Sequence, residues 1–257
     1  MRSVVICSIG VGPHEELLDI GRPLLEDWAQ RFGYDLDLRT SLLAPERPAS
    51  WSKIRLVREL LATHRVVVWV DADTVVVDGR EDLAKRVTRR RPLAMVAHRY
   101  SDQSVPNLGV FVVRSTRRTK ALLDRIWTMT EYVDHKWWEN AALLDLLGYD
   151  IETETEPIRK VKSSPLDRRI EWLGNEWNSI SLDAAAQPII VHYPGHTNED
   201  RKRLMRADVD ACRKRQTGVP PGSPSSPLDP PPLMTHRVHS PCVNGFGQQS
   251  GPVPDIE

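Results

Sequence analysis

Residues 66–76 read VVVWVDADTVV: five apolar residues run directly into two aspartates one residue apart, and a second apolar run follows. A β-branched run without polar alternation fits a strand buried on both faces, as in a parallel sheet covered by helices on each side. Two carboxylates at the end of such a strand are costly unless something compensates their charge. This stretch therefore asks for a particular fold class and for a reason to carry acid into it.

The chain around it supplies the fold class. A strand is expected at residues 3–9, and residues 13–32 place Leu17, Leu18, Leu24, Leu25 and Trp28 at helical spacings, with Gly33 as a stop signal. YDLDLRT alternates like a strand. Ser50 is the expected N-cap of a helix burying Ile54, Val57, Leu60 and Leu61, which leads into residues 66–76. Further strands are expected at 93–98, 109–113 and 189–192, separated by helices near 116–133, 138–147 and 198–214. Residues 150–187 give mixed signals and read as loops with short strands or turns. The alternation predicts an α/β class: a mixed, mostly parallel sheet flanked by helices.

The last 41 residues stand apart. Residues 217–257 hold ten of the chain's 20 prolines and open with PPGSPSSPLDPPP, a composition without periodicity or enough apolar surface to fold alone. The expected division is a folded domain at 1–216 and a disordered Pro/Gly/Ser-rich tail at 217–257. Lys+Arg and Asp+Glu both total 35, so nothing in the overall charge asks for a nucleic-acid or membrane partner, and local charge must carry any electrostatic argument. Cys7, Cys212 and Cys242 fit no metal-ligand spacing. The apolar stretch at the N-terminus is too short for a signal or a span, and no other segment approaches membrane length. A cytoplasmic, reduced protein is the expectation.

In an extended segment, side chains two residues apart share a face with alpha carbons about 6.5–7 Å apart. Asp71 and Asp73 are thus expected to converge at the carboxyl end of a strand, the edge where open α/β sheets bind ligands. Two hard oxygen donors there suit Mg²⁺ or Mn²⁺, which also accept phosphate oxygens. The bland alternative is a turn or helix cap, which aspartates also favour. A haloacid-dehalogenase-like phosphatase is a further alternative, with Asp71 as nucleophile and Asp73 as acid and base. Against it, about 70 residues precede the motif, and no convincing downstream acidic G-D-x-x-x-D motif follows.

The order of several short motifs adds to this reading. WSKIRLVRELL, then VVVWVDADTVV, NLGVFVVR, WWENAALL and IIVHYPGH resemble the GT-A nucleotide-sugar glycosyltransferases, most closely the retaining galactosyltransferase and xylosyltransferase group, over about residues 4–206. The resemblance implies transfer of a sugar from a nucleotide-diphosphate donor, UDP-sugar favoured, to an unknown acceptor with retention. It implies Asp71, Asp73 and His192 as metal ligands, and nucleotide-sugar contacts from Ser8, Ile9, Gly10, Lys53, Asp71, His196 and Lys202, with Arg201 beside the last. Asn107, Glu139 and Asn140 are implied near the sugar, although Asn140 stands where glutamine is commoner. Trp137 and Trp138 are candidates for an acceptor platform or for core, and Trp172, Trp177 and Asn178 resemble the late W-N segment. Each residue also has a plain structural reading: a satisfied strand-end His192, a solvated Lys53 or Lys202, a turn at Gly10 or Asn107. A non-catalytic nucleotide-sugar-binding protein on the same fold also stays open.

Overall fold

The computed structural model describes residues 2–100, 102–151 and 158–216. The expectation for the tail falls outside them.

A six-stranded sheet forms the centre, in the order β2 (Asp35–Arg39), β1 (Arg2–Ile9), β3 (His64–Val70), β6 (Gln103–Arg114), β5 (Leu93–Tyr100), β9 (Ile170–Leu173). The β1–β2, β1–β3 and β5–β9 pairs are parallel, and β6 runs antiparallel to both of its neighbours. The sheet is mixed and mostly parallel, as its sequence pattern implies. On one face α1 (Pro13–Phe32) and α5 (Asn198–Gln216) pack over Val4, Ile6, Val66, Val68 and Val70. On the other, α2 (Ser52–Leu60), α3 (Arg117–Thr128) and α4 (Trp138–Leu146) cover Val5, Cys7, Val67 and Trp69. Both faces of β1 and β3 are buried, which is why their apolar runs do not alternate.

The helix boundaries follow from local chemistry. Helix α1 starts with Pro13 in its first turn and ends on Gly33, whose left-handed φ of 65° closes the cap. Helix α3 starts with a capping box between Thr116 and Thr119. Ser50 does not cap α2: it lies within a short 3₁₀ turn, Ala49–Trp51, that runs straight into the helix. The ambiguous 150–187 region contributes β7 (Tyr149–Asp150), β8 (Arg159–Lys160) and the edge strand β9, which the sequence pattern did not resolve.

Two departures from regularity shape the functional edge. Asp71–Ala72–Asp73 is not extended: it is a turn joining β3 to β4 (Thr74–Val76), closed by the Thr74 hydroxyl donating to the Asp71 carbonyl at 2.7 Å. The aspartates therefore meet through a turn, not through the strand pleat. Strand β6 also slips against β5, since Met95 pairs with Phe111 but Val96 with Asn107. Residues 108–110 bulge out beside the end of β3, and bulges of this kind re-aim side chains next to sites.

Candidate active site

A small antiparallel ribbon completes the edge. Strand β10 (Ile190–His192) pairs with β4 so that His192 stands opposite Thr74, and the Tyr193 N–H donates to the Asp73 carbonyl at 3.1 Å. His192 is thereby carried beside two aspartates about 120 residues earlier. Its Nε2 lies 3.3 Å from Asp73 Oδ1 and 3.8 Å from Asp71 Oδ2. One donor atom from each of Asp71, Asp73 and His192 falls within a 4.8 Å group.

The imidazole is aimed from behind. His192 Nδ1 is 2.9 Å from the Asn178 side-chain oxygen, and the Asn178 amide donates to Asn107 Oδ1 at 2.9 Å. An amide oxygen only accepts, so Nδ1 carries a proton, and in the neutral ring the Nε2 lone pair faces the carboxylates. A lone pair and two carboxylates converging in a mostly buried space repel one another unless a cation lies among them. Two carboxylates with one imidazole fit Mn²⁺ better than Mg²⁺, which prefers oxygen donors throughout, so the residues present fit the implied metal. Gly109 makes room for this arrangement, because a Cβ there would meet His192 Cε1 at 2.3 Å.

The bulge in β6 leaves backbone groups that the sheet cannot satisfy, and side chains singled out in the sequence satisfy them. Leu108 N–H donates to Asn140 Oδ1 at 3.1 Å, and Gly109 N–H donates to Asn107 Oδ1 at 2.7 Å. The Leu108 carbonyl accepts from Lys53 Nζ at 3.1 Å, and the Gly109 carbonyl accepts from the Asp71 N–H at 2.8 Å. The Asn140 amide nitrogen also donates to the Pro106 carbonyl at 3.3 Å. Asn140 and Asn107 thus hold the shape of the site.

Lys53 is buried, and its ammonium sits 2.9 Å from both Asp71 Oδ1 and Glu139 Oε1. Burial alone would lower its pKa, but the two carboxylates hold it above the ordinary lysine value. With the Leu108 carbonyl, its three donors are all engaged, so its charge is spent inside the protein. Burial raises Glu139 against the opposing pull of Lys53, and Glu139 Oε2 is buried with no hydrogen-bond partner among the described residues. Asp71 Oδ1 also accepts from Trp69 Nε1 at 2.7 Å, leaving Oδ2 toward His192.

Of the two basic neighbours after HYPG, Arg201 and not Lys202 reaches the aspartates. Arg201 Nε lies 3.3 Å from Asp73 Oδ2, whereas Lys202 pairs with Glu16 at 2.7 Å and Glu199 at 2.9 Å. Burial would raise the Asp73 pKa, but the His192 ring, when charged and donating from Nε2, and then Arg201 hold it well below the ordinary carboxylate range. His196 is half-buried with its ring against Tyr193. Ser8 is fully buried at the carboxyl end of β1, its hydroxyl without a partner among the described residues, and Ile9 is packed against the second core cluster. Gly10 has a packing reason to be glycine: a Cβ there would meet the His14 carbonyl at 2.5 Å and Leu18 at 2.8 Å.

At the first turn of α4, Trp138 has φ 45°, the one positive value at a non-glycine among the described residues. A bulky residue there is strained, and such strain gathers at functional sites. Trp138 is 43% exposed while Glu139 beside it is buried. Trp137 is half-buried against the second core, Trp177 is fully buried and Trp172 is exposed on β9. Sequence reasoning did not single out His98, buried on β5 with Nδ1 3.3 Å from Asp183 Oδ2; a lone histidine in an apolar run carries no signal of that pairing.

A mostly parallel sheet whose central strand delivers two aspartates to a histidine on an appended ribbon defines a GT-A glycosyltransferase. The model of the nucleotide-diphospho-sugar transferase family matches residues 47–205, and the chain belongs to that family. Among solved structures, one similar fold is a glycosyltransferase involved in glycosylation of the major capsid of PBCV-1. It is 13% identical with a TM-score of 0.58, over 80% of this chain and 100% of that one. Another is the galactosyltransferase LgtC in complex with donor and acceptor sugar analogs, 10% identical with a TM-score of 0.50, over 82% of this chain and 96% of that one. The glycosyltransferase GlyE of Streptococcus pneumoniae TIGR4 is 14% identical with a TM-score of 0.50, over 88% of this chain and 67% of that one. These likenesses are of fold. No curated protein matches the sequence. No helix among the described residues is long and apolar enough to cross a membrane.

Proposed function

We propose that this glycosyltransferase is metal-dependent, takes a UDP-sugar and transfers the sugar with retention to a carbohydrate-bearing or other hydroxyl acceptor, acting in the cytoplasm through a catalytic unit at residues 1–216. The observation that carries the metal dependence is the convergence of Asp71 Oδ2, Asp73 Oδ1 and the His192 Nε2 lone pair. Charge supports it too. Asp71, Asp73 and Glu139 outweigh Lys53 and Arg201, so the site by itself repels a diphosphate, and a divalent cation reverses that balance. The choice of UDP and the stereochemistry rest on the motif resemblance.

In this reading Asp71, Asp73 and His192 hold Mn²⁺ or Mg²⁺. When bound, the cation neutralises charge on the departing nucleotide diphosphate. Arg201 braces Asp73, and His196 lies at the start of the segment that faces the diphosphate. Lys53 holds the Asp71 and Glu139 carboxylates in place. Glu139 Oε2 accepts a hydroxyl of the donor sugar, which removes the cost of an unpaired buried oxygen. The base of the nucleotide lies against Ser8, Ile9 and Gly10. The acceptor approaches over Trp138, whose exposed ring suits the apolar face of a sugar.

The test is calorimetric titration with UDP-, GDP- and dTDP-sugars, with and without Mn²⁺, followed by a donor-hydrolysis assay, on the native chain and on Asp73→Asn. Metal-dependent binding and hydrolysis of one UDP-sugar, both lost in the variant while its fold is retained, is the expected result. Equal nucleotide binding in EDTA removes the metal, and binding without turnover under any condition tried with an acceptor panel leaves a binding protein instead of an enzyme.

A further inference from the structure

The net charge of zero hides a strongly basic corner. Three arginine runs, at 89–91, 117–118 and 168–169, are far apart in sequence. Sheet register brings them together, because Leu93 pairs with both Val113 and Ile170. The start of β5, the end of β6 leading into α3 and the start of β9 therefore share one edge. A cavity of about 280 Å³ opens there, ringed by Arg89, Arg117, Arg118 and Arg169 over apolar residues that include Leu122 and Ile170.

None of these four guanidinium groups has an ion pair or side-chain hydrogen bond among the described residues. Arg91, two residues from Arg89, holds Glu171 at 2.7 Å and so adds no unpaired charge to the cavity's arginines. Gathering four cations that are unpaired among the described residues around one cavity leaves mutual repulsion that an anionic ligand would relieve. Guanidinium forks match phosphate oxygens bidentately. Arg117 and Arg118 also open the 12-residue helix α3, whose dipole adds positive potential. The apolar floor calls for more than a bare ion.

We propose that this cavity is a second ligand site, for an anionic phosphate ester that carries an apolar portion. Its place is remote from the transfer chemistry. Val66 on β3 stands opposite Arg114 while Asp71 follows the other end of that strand, which puts roughly 17 Å of strand between the two edges. Such a ligand could be a membrane lipid with its headgroup among the arginines or a soluble organophosphate; the recognising chemistry is the same.

The experiment uses the full chain and reads co-sedimentation with phosphatidylcholine vesicles, with or without phosphatidylglycerol, and calorimetric titration with phenyl phosphate. Arg117→Glu/Arg118→Glu is the test variant. Both residues are exposed, and acidic residues in a helix's first turn favour the helix, so folding and donor hydrolysis should be retained. Arg213→Glu/Lys214→Glu on α5 alters the net charge equally and serves as the control. Binding to phosphatidylglycerol vesicles that falls about tenfold or more in the test variant alone supports a lipid source. The same pattern with phenyl phosphate supports a soluble one. Equal binding to phosphatidylcholine alone, equal losses in test and control variants, or no binding of either probe by the native chain overturns the proposal.

Discussion

Gly109→Ala adds one methyl group where the site has no room for it. The new Cβ would lie 2.3 Å from His192 Cε1, 2.6 Å from Nδ1 and 2.7 Å from Asn107 Oδ1, where ordinary contact begins at 3.4 Å. The Gly109 backbone is held on both sides, by Asn107 Oδ1 and by the Asp71 N–H, so the imidazole must retreat by about 1 Å. From 2.9 Å, that shift takes Nδ1 out of hydrogen-bond range of Asn178 and turns Nε2 from the aspartates. Overpacking of this kind costs about 1–3 kcal/mol of stability. Loss of the group that orients a ligand lowers metal affinity about 10–100-fold. Chemical unfolding in EDTA measures the first effect, and calorimetric titration with Mn²⁺ and UDP measures the second. His192→Ala removes the two nearest contacts but leaves Asn107 Oδ1 at 2.7 Å, so the alanine at 109 should cost less in that background than in the native chain, giving a coupling of about 0.5–2 kcal/mol across the double-mutant cycle. A Gly109→Ala protein as stable as the native chain would refute the packing argument. A destabilised one with native Mn²⁺ affinity would refute His192 as a ligand.

Lys53→Met leaves Asp71 and Glu139 facing each other with no cation between them; stability at pH 7 should fall by about 3–5 kcal/mol, and Lys53→Met/Glu139→Gln should recover much of it in urea unfolding. Because Glu139 is already raised by burial, protonation relieves the single variant, so its deficit should shrink as pH falls toward 5; a constant deficit counts against the network. Burial pulls the His98 imidazole from 6.5 down to about 4, with the Asp183 hydrogen bond opposing. A depressed folded pKa means that the unfolded chain binds the proton first, so stability present above pH 6.5 is lost as pH falls toward 4, by about 3 kcal/mol. His98→Gln should flatten that part of the pH–stability curve, and an unchanged slope would show that His98 does not set it. Deleting residues 217–257 should leave the melting temperature nearly unchanged, whereas a drop of several degrees would reveal a docked tail.

Local pattern carried far in this chain. The apolar run at 66–70 marks a strand buried on both faces because helices cover both sides of the sheet, and the ends of α1 follow from Pro13 and Gly33. The order of WSK, DAD, NLG, WWEN and HYPG pointed to the family that the match over residues 47–205 shows. Periodicity did not reveal the edge strand at 170–173, since four residues between turns leave too short a pattern to distinguish from loop. Nor could it decide between the strand pleat and the turn that it also allowed at Asp71 and Asp73, because residue spacing alone suits both; the turn is the one observed, closed by Thr74.

The sequence by itself determined which residues can be buried, where elements begin and end, and which side chains have acid, base or ligand chemistry to offer, because those properties reside in neighbours along the chain. The tertiary structure alone decided how they are used. The slipped register of β5 on β6 creates backbone groups that Asn107, Asn140 and Lys53 must satisfy. The β4–β10 ribbon brings His192 to the aspartates, with Asn178 aiming it and Gly109 leaving it room. The fall of α5 assigns Arg201 to Asp73 and leaves Lys202 at the surface with Glu16. Each of these pairings joins positions that share no local pattern, and their distances are set by strand register and helix packing across the whole sheet.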